Sequence, residues 1–308
     1  MRLVDFYYFK GIERVLKEGV EQEVRAKWNN GENATTKSIS QLFYEFSDTK
    51  DFPITNYRRI NYKKAINEVL WIFQKRSNRL EDLDSKIWNS WEYKGTGTTG
   101  NTYGFVANKE YLSLENKYPN VFGEKKYLNQ VEYLFQTLVD NPNDRRMMIN
   151  LYDLNEVQES NLPPCAFMTQ YTVIGNKLHM NLIQRSGDML VASNFSSWNT
   201  VQYAFLHRLI AKCCGLKVGK FSHFVMNSHI YDRHWKDNDL YDYIKKETCE
   251  DKVEVGIYVK HNLFGDLGLT KEQKLKFAWD NFMSFKETDY EFLNYKPNDY
   301  SLKLEVAV

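Results

Sequence analysis

Cysteine is scarce: the 308 residues hold four, at positions 165, 213, 214 and 249. No two make a Cys-x-x-Cys pair, which excludes the usual structural zinc site and the dithiol redox motif. Few, unpaired thiols fit a reduced compartment, so the expected location is the cytoplasm. An excess of charge is missing as well, with 41 Lys+Arg against 40 Asp+Glu and a formal net of +1. No global attraction to DNA, RNA or an anionic membrane follows from that balance, and any anion site must be local. No apolar run approaches the ~18 residues of a membrane span, and the opening MRLVDFYYFK lacks the apolar stretch of a secretory signal. No metal is expected: His223 and His229 share a strand face but lie too far apart to chelate, and no acid or thiol completes a set with His234. The glycine-rich GTGTTGNT starting at Gly95 lacks the Lys-Ser/Thr of a phosphate-binding P-loop.

Hydrophobic residues make up 43% and aromatics 15%, enough for a sizeable core. Amphipathic periodicity predicts helices over 4–19, 61–75, 131–139 and 200–214, the last closed by Gly215. Alternation predicts strands over 39–46, 147–151, 166–174, 177–184 and 221–231. Gly175-Asn176 between two such runs predicts a hairpin. Within its second strand Leu178, Met180 and Leu182 face one way, and His179, Asn181 and Ile183 the other. Residues 29–37 read as a polar loop, and 109–126 as a polar surface insertion.

The chemistry concentrates between Asn161 and Asn199. Cys165 follows Pro163-Pro164, and the hairpin ends in Gln184-Arg185-Ser186-Gly187-Asp188. A lone cysteine beside a strand is usually a small buried hydrophobe. If the strands bring Arg185 to Cys165, however, the cation favours the thiolate, the nucleophilic form. Glu68 sits beside the apolar stripe of its helix, where partial burial would raise its pKa toward that of a useful proton carrier.

Pro-Pro-Cys, Gln-Arg-Ser-x-Asp and Trp198-Asn199 opening a helix resemble the thymidylate synthase family. So do Asn-Glu-Val-Leu-Trp-Ile-Phe around Glu68, Tyr103-Gly104, Arg145-Arg146 and His229-x-Tyr231. The resemblance runs nearly end to end and implies an α/β (α+β) fold: one domain over 1–308, with a large mixed sheet flanked by helices. It implies reductive methylation of dUMP to dTMP with 5,10-methylenetetrahydrofolate. Cys165, Glu68, Tyr103 and Asn199 would be catalytic. Arg25, Gln184, Arg185, Ser186, Asn199, His229 and Tyr231 would bind dUMP, joined across a homodimer interface by Arg145 and Arg146. Ile87, Trp88, Trp91, Asp188 and Val308 would meet the folate, under a mobile lid formed by 304–308. Departures are specific. Ala26-Lys27 follows Arg25 where Thr-Gly is common, Ala166 replaces a histidine after the cysteine, and Met226-Asn227-Ser228 stands for Gly-Asp-x. The segment before Asn199 is longer than usual, which keeps Asn194 as a rival reader of the base. A hydroxymethylase acting on dUMP or dCMP, and an inactive nucleotide- or RNA-binding relative, remain as alternatives.

Overall fold

A computed structural model describes residues 2–47, 50–193, 196–236, 256–259, 268–298, 304, 305 and 307. The expectations for Asn194, Cys249 and Val308 fall outside the described residues. Helix α1 (Leu3–Glu18) leads into a hairpin of β1 (Val20–Lys27) and β2 (Asn33–Phe46). The loop expected over 29–37 is therefore shorter. It is the turn from Trp28 to Glu32, closed by the Trp28 N–H on the Glu32 carbonyl at 2.9 Å. Asn33 to Lys37 joins the strand because Ala34 and Thr36 turn inward, an alternation hidden by its polar composition. Arg25 accordingly lies exposed on β1 rather than at the head of a loop.

Helix α2 (Tyr62–Leu70) continues as a π-helical turn, Trp71–Lys75, where the sequence period predicted unbroken α-helix. The widened turn ends at Arg76 in the left-handed region, φ 51°. The next elements are α3 (Gly104–Asn108), β3 (Glu110–Glu115), α4 (Pro119–Phe122), β4 (Tyr127–Asn129), α5 (Gln130–Asp140) and β5 (Met148–Asn150). Residues 109–126 thus carry β3 and α4; β3 pairs with β4, and Val121 and Phe122 pack on the core. The hairpin β6 (Ala166–Ile174) and β7 (Lys177–Gln184) turns at Gly175 and Asn176, whose φ values of 56° and 63° suit a type I′ turn. The rest is β8 (Gly187–Asp188), α6 (Trp198–Cys213), β9 (Lys217–Tyr231), α7 (Asp232–Lys236), β10 (Gly256–Val259), α8 (Lys271–Ser284) and β11 (Tyr290–Leu293).

Strands β1-β2-β9-β7-β6-β5 form one sheet in that order, with β8 as a seventh strand paired to β9. Both β7 and β8 run parallel to β9 while the other neighbours are antiparallel, so the sheet is mixed. Helix α6 is the crossover that lets β9 run parallel to β7. Leu178, Met180 and Leu182 are fully buried beneath the helices, as their alternation predicted. Across the other face runs a row in register through four strands: Phe43, Phe224, Ile183 and Met168. Phe43 on that row is 58% exposed.

Candidate active site

The site forms at the open end of the β6–β7 hairpin. Cys165 immediately precedes β6 and Arg185 immediately follows β7, and the Arg185 N–H donates to the Cys165 carbonyl at 2.8 Å. The Arg185 guanidinium donates to the carbonyls of Pro164, at 3.0 Å, and Pro163, at 2.8 Å. It therefore clamps the Pro-Pro-Cys turn. From the other side the Cys165 N–H donates to the Tyr103 hydroxyl at 2.8 Å, and the Tyr203 hydroxyl donates to the Ala166 carbonyl at 2.9 Å. Burial pushes the Cys165 thiol above its usual range, and the Arg185 cation opposes this without outweighing it. Arg185 thus favours the thiolate, as expected, while desolvation of the anion is the larger effect. Tyr103 has φ 40°. The next residue must be glycine, because a Cβ at Gly104 would meet the Ser77 carbonyl oxygen at 1.9 Å. Burial pushes the Tyr103 phenol well above its usual range, so it stays protonated.

Glu68 is buried, and both its oxygens are occupied. Trp88 Nε1 donates to Oε1 at 3.0 Å and Trp198 Nε1 to Oε2 at 2.9 Å. Burial raises its pKa, while Trp198, Trp88 and Gln202 favour the charged form. The Trp88 ring lies edge-on to Tyr103, centroids 5.4 Å apart. Cys165, Tyr103, Trp88, Glu68 and Trp198 thus form one connected set. Trp198, Gln202 and Tyr203 had not been singled out for these roles. In the sequence Trp198 marks only the start of a helix, and the further signal is helical spacing, which puts 198 and 202 on one face of α6.

Asn199 is the second residue of α6, not its N-cap, which is Ser197. Asn199 Nδ2 donates to Gln202 Oε1 at 3.0 Å, and its Oδ1 is buried without a partner. Gln184 lies behind the site. Its amide donates to the Ser186 carbonyl at 2.8 Å, leaving Oε1 to accept from His223 Nε2 at 2.9 Å. Ser186 itself is half-buried. Asp188 Oδ1 accepts from the backbone N–H groups of Leu190, at 2.9 Å, and Val191, at 3.2 Å. His229 pairs with Asp188 across the β8–β9 ladder, and its Nδ1 donates to the Asn227 carbonyl at 2.8 Å. Nε2 is thereby the accepting nitrogen. The Tyr231 ring meets His229 at 5.3 Å and Trp28 at 5.6 Å. Ile87 is exposed and Trp91 half-buried, beside the buried Trp88. The described part of the tail rests on the β1–β2 turn. Glu305 pairs with Arg233 at 2.7 Å and accepts from the Asn29 N–H at 3.1 Å, while Ala307 packs on Trp28 and Ala34.

Arg145 and Arg146 are not brought to this cluster. Both are exposed ahead of β5, the edge strand, and Arg146 pairs with Asp144 at 2.8 Å. Among the described residues, no group of three or more His, Cys, Asp and Glu side chains could hold a metal ion. No helix among them is long and apolar enough to cross a membrane.

A family model described as thymidylate synthase matches residues 6–308. Thymidylate synthases of Streptococcus pneumoniae and Streptococcus mutans are each 34% identical to this chain, covering 100% of both sequences. The solved structure of thermostable thymidylate synthase A from Bacillus subtilis matches with a TM-score of 0.81 at 30% identity, covering 99% of each chain.

Proposed function

The chain belongs to the thymidylate synthase family, and from that premise we propose how its side chains carry out the methylation of dUMP to dTMP. Carbon C5 of uracil is a weak nucleophile. The Cys165 sulfur adds at C6, opening the C5–C6 double bond and moving its electrons toward O4, which makes C5 an enolate carbon. Burial favours the thiol, so the thiol gives its proton to water as the sulfur attacks C6, beside the Arg185 cation. The co-substrate 5,10-methylenetetrahydrofolate supplies the one-carbon unit and then a hydride, and departs as dihydrofolate.

Glu68, raised by burial and gripped by two indoles, handles the protons exchanged at the ring through ordered water. Tyr103 stays a phenol. Its oxygen accepts from the Cys165 N–H, so its own O–H can hold the ordered water that takes the proton lost from C5. Asn199 reads the base, with the buried Oδ1 accepting from N3–H. His229 and Tyr231 hold the sugar hydroxyl. Arg25, Ser186 and the unspent N–H groups of Arg185 take the phosphate, together with Arg145 and Arg146 from the other copy of a symmetric dimer. The flat wall of Ile87, Trp88 and Trp91 suits a pterin, and Asp188 keeps Oδ2 for it, with Val308 closing the site.

The observation that carries this reading is the unbroken set from Cys165 through Tyr103 and Trp88 to Glu68. A nucleophile and a buried proton carrier meet there beside an aromatic wall. The hydroxymethylase alternative shares every step until water attacks the exocyclic methylene in place of hydride, and the indoles of Trp88 and Trp91 favour a dry site. The nucleophile is tested by Cys165→Ala, which should abolish both turnover and release of tritium from C5 of dUMP. Tritium release surviving in the variant would remove Cys165 from that role.

A further inference from the structure

Asn199 and Gln202 stand three residues apart on α6, and each keeps one buried amide atom without a hydrogen bond: Asn199 Oδ1 and Gln202 Nε2. The bond between them runs from Asn199 Nδ2 to Gln202 Oε1, at 3.0 Å. Turning both amides over together would preserve that bond with donor and acceptor exchanged, so the pair by itself does not choose its orientation. Glu68 chooses it. Gln202 sits on the face of α6 that also carries Trp198, whose indole bonds Glu68 at 2.9 Å. The Gln202 amide stabilises the Glu68 charge, although its Nε2 makes no full hydrogen bond. A carboxylate beside an amide attracts the NH2 end and repels the carbonyl. With Nε2 held toward Glu68, Oε1 is presented to Asn199, and Asn199 is left with Oδ1 as its unspent acceptor.

We propose that Gln202 is a positioning residue for base choice: it relays the orientation set by Glu68 to Asn199, so that Asn199 offers a carbonyl oxygen to the pyrimidine N3. Uracil carries N3–H, a donor that matches this acceptor. Cytosine carries a bare N3 that opposes it. The second hydrogen of Asn199 Nδ2 remains for O4. The proposal rests on Asn199 as the reader of the base, and its test separates the two claims.

The experiment compares kcat/KM for dUMP and dCMP, and its pH profile, in Gln202→Met, Gln202→Glu and Asn199→Asp, with folding checked by circular dichroism. Gln202→Met removes the polar anchor at similar volume and should lower the dUMP/dCMP ratio about tenfold. Gln202→Glu keeps an oxygen for Asn199 Nδ2, so the ratio should hold. The second carboxylate beside Glu68 should at the same time move the acid limb of the profile to higher pH. A purely structural residue would move neither reading in this divided way. If Asn199→Asp lowers the ratio and Gln202→Met does not, the relay is overturned while Asn199 stands. If neither lowers it, both claims fall. If Gln202→Met does not fold, Gln202→Glu decides: a lost ratio or an unmoved acid limb overturns the proposal.

Discussion

Glu68 shows how much one side chain depends on its donors. Its carboxylate is desolvated, which favours the neutral form, and two indole N–H groups restore part of the lost hydration. A hydrogen bond to a charged group is worth about 1.5–3 kcal/mol, equivalent to about one to two pH units. Trp198→Phe should therefore move the acid limb of the kcat/KM profile upward by about one unit, with kcat reduced more than KM is raised. An unmoved limb in that variant would show that Trp198 only fills space. At this scale the sequence was readable where chemistry sits in a short motif, as at Cys165, Tyr103 and Glu68. Trp198 and Gln202 were not readable, because their partner lies 130 residues away for Trp198 and an aromatic or amide inside an apolar helix resembles packing. Gln184 is a different case: its motif suggested substrate contact, and in the structure its amide also bonds Ser186 and His223.

Among the elements, α6 carries several buried polar contacts to the sheet. His207 on α6 bonds the Leu178 carbonyl of β7 at 2.6 Å, and Thr200 bonds His223 of β9 at 3.1 Å. Burial depresses both His207 and His223 to about 3. An unfolded histidine titrates near about 6.5. Between those limits the unfolded chain takes up protons that the native chain refuses, so stability is complete above about 6.5 and is lost as pH falls toward about 3. His207→Gln retains a donor for Leu178 but cannot be protonated, so the fall in Tm from neutral to acid pH should be shallower in the variant. Parallel slopes for variant and parent would contradict this. The β6–β7 hairpin and α6 were legible because period and turn chemistry agree there. The start of β2 was missed because Asn33-Ala34-Thr35-Thr36-Lys37 looks like loop by composition, and pairing with β1, joined from Thr36 on by β9, overrides that. The π-helical turn after Leu70 has no periodic signature, since Ile72 and Phe73 suit either winding.

For the molecule as a whole, the partly exposed apolar row of Phe43, Phe224, Ile183 and Met168 is where the proposed dimer would seat its second copy. A symmetric dimer over this face would carry Arg145 and Arg146 toward the neighbouring site. Homodimers of Arg145→Ala and of Cys165→Ala should each be inactive, and a mixture allowed to exchange subunits should regain activity through the site that holds neither lesion. No recovery after demonstrated exchange would place the arginines outside the partner's site. The central claim is that this one site adds sulfur to C6 and then delivers hydride, not water, to the methylene at C5. The most direct measurement is mass spectrometry of the product formed from dUMP and methylenetetrahydrofolate deuterated at the hydride-donating carbon. The account predicts dTMP bearing deuterium in its methyl group. Hydroxymethyl-dUMP, or dTMP without the label, would contradict it.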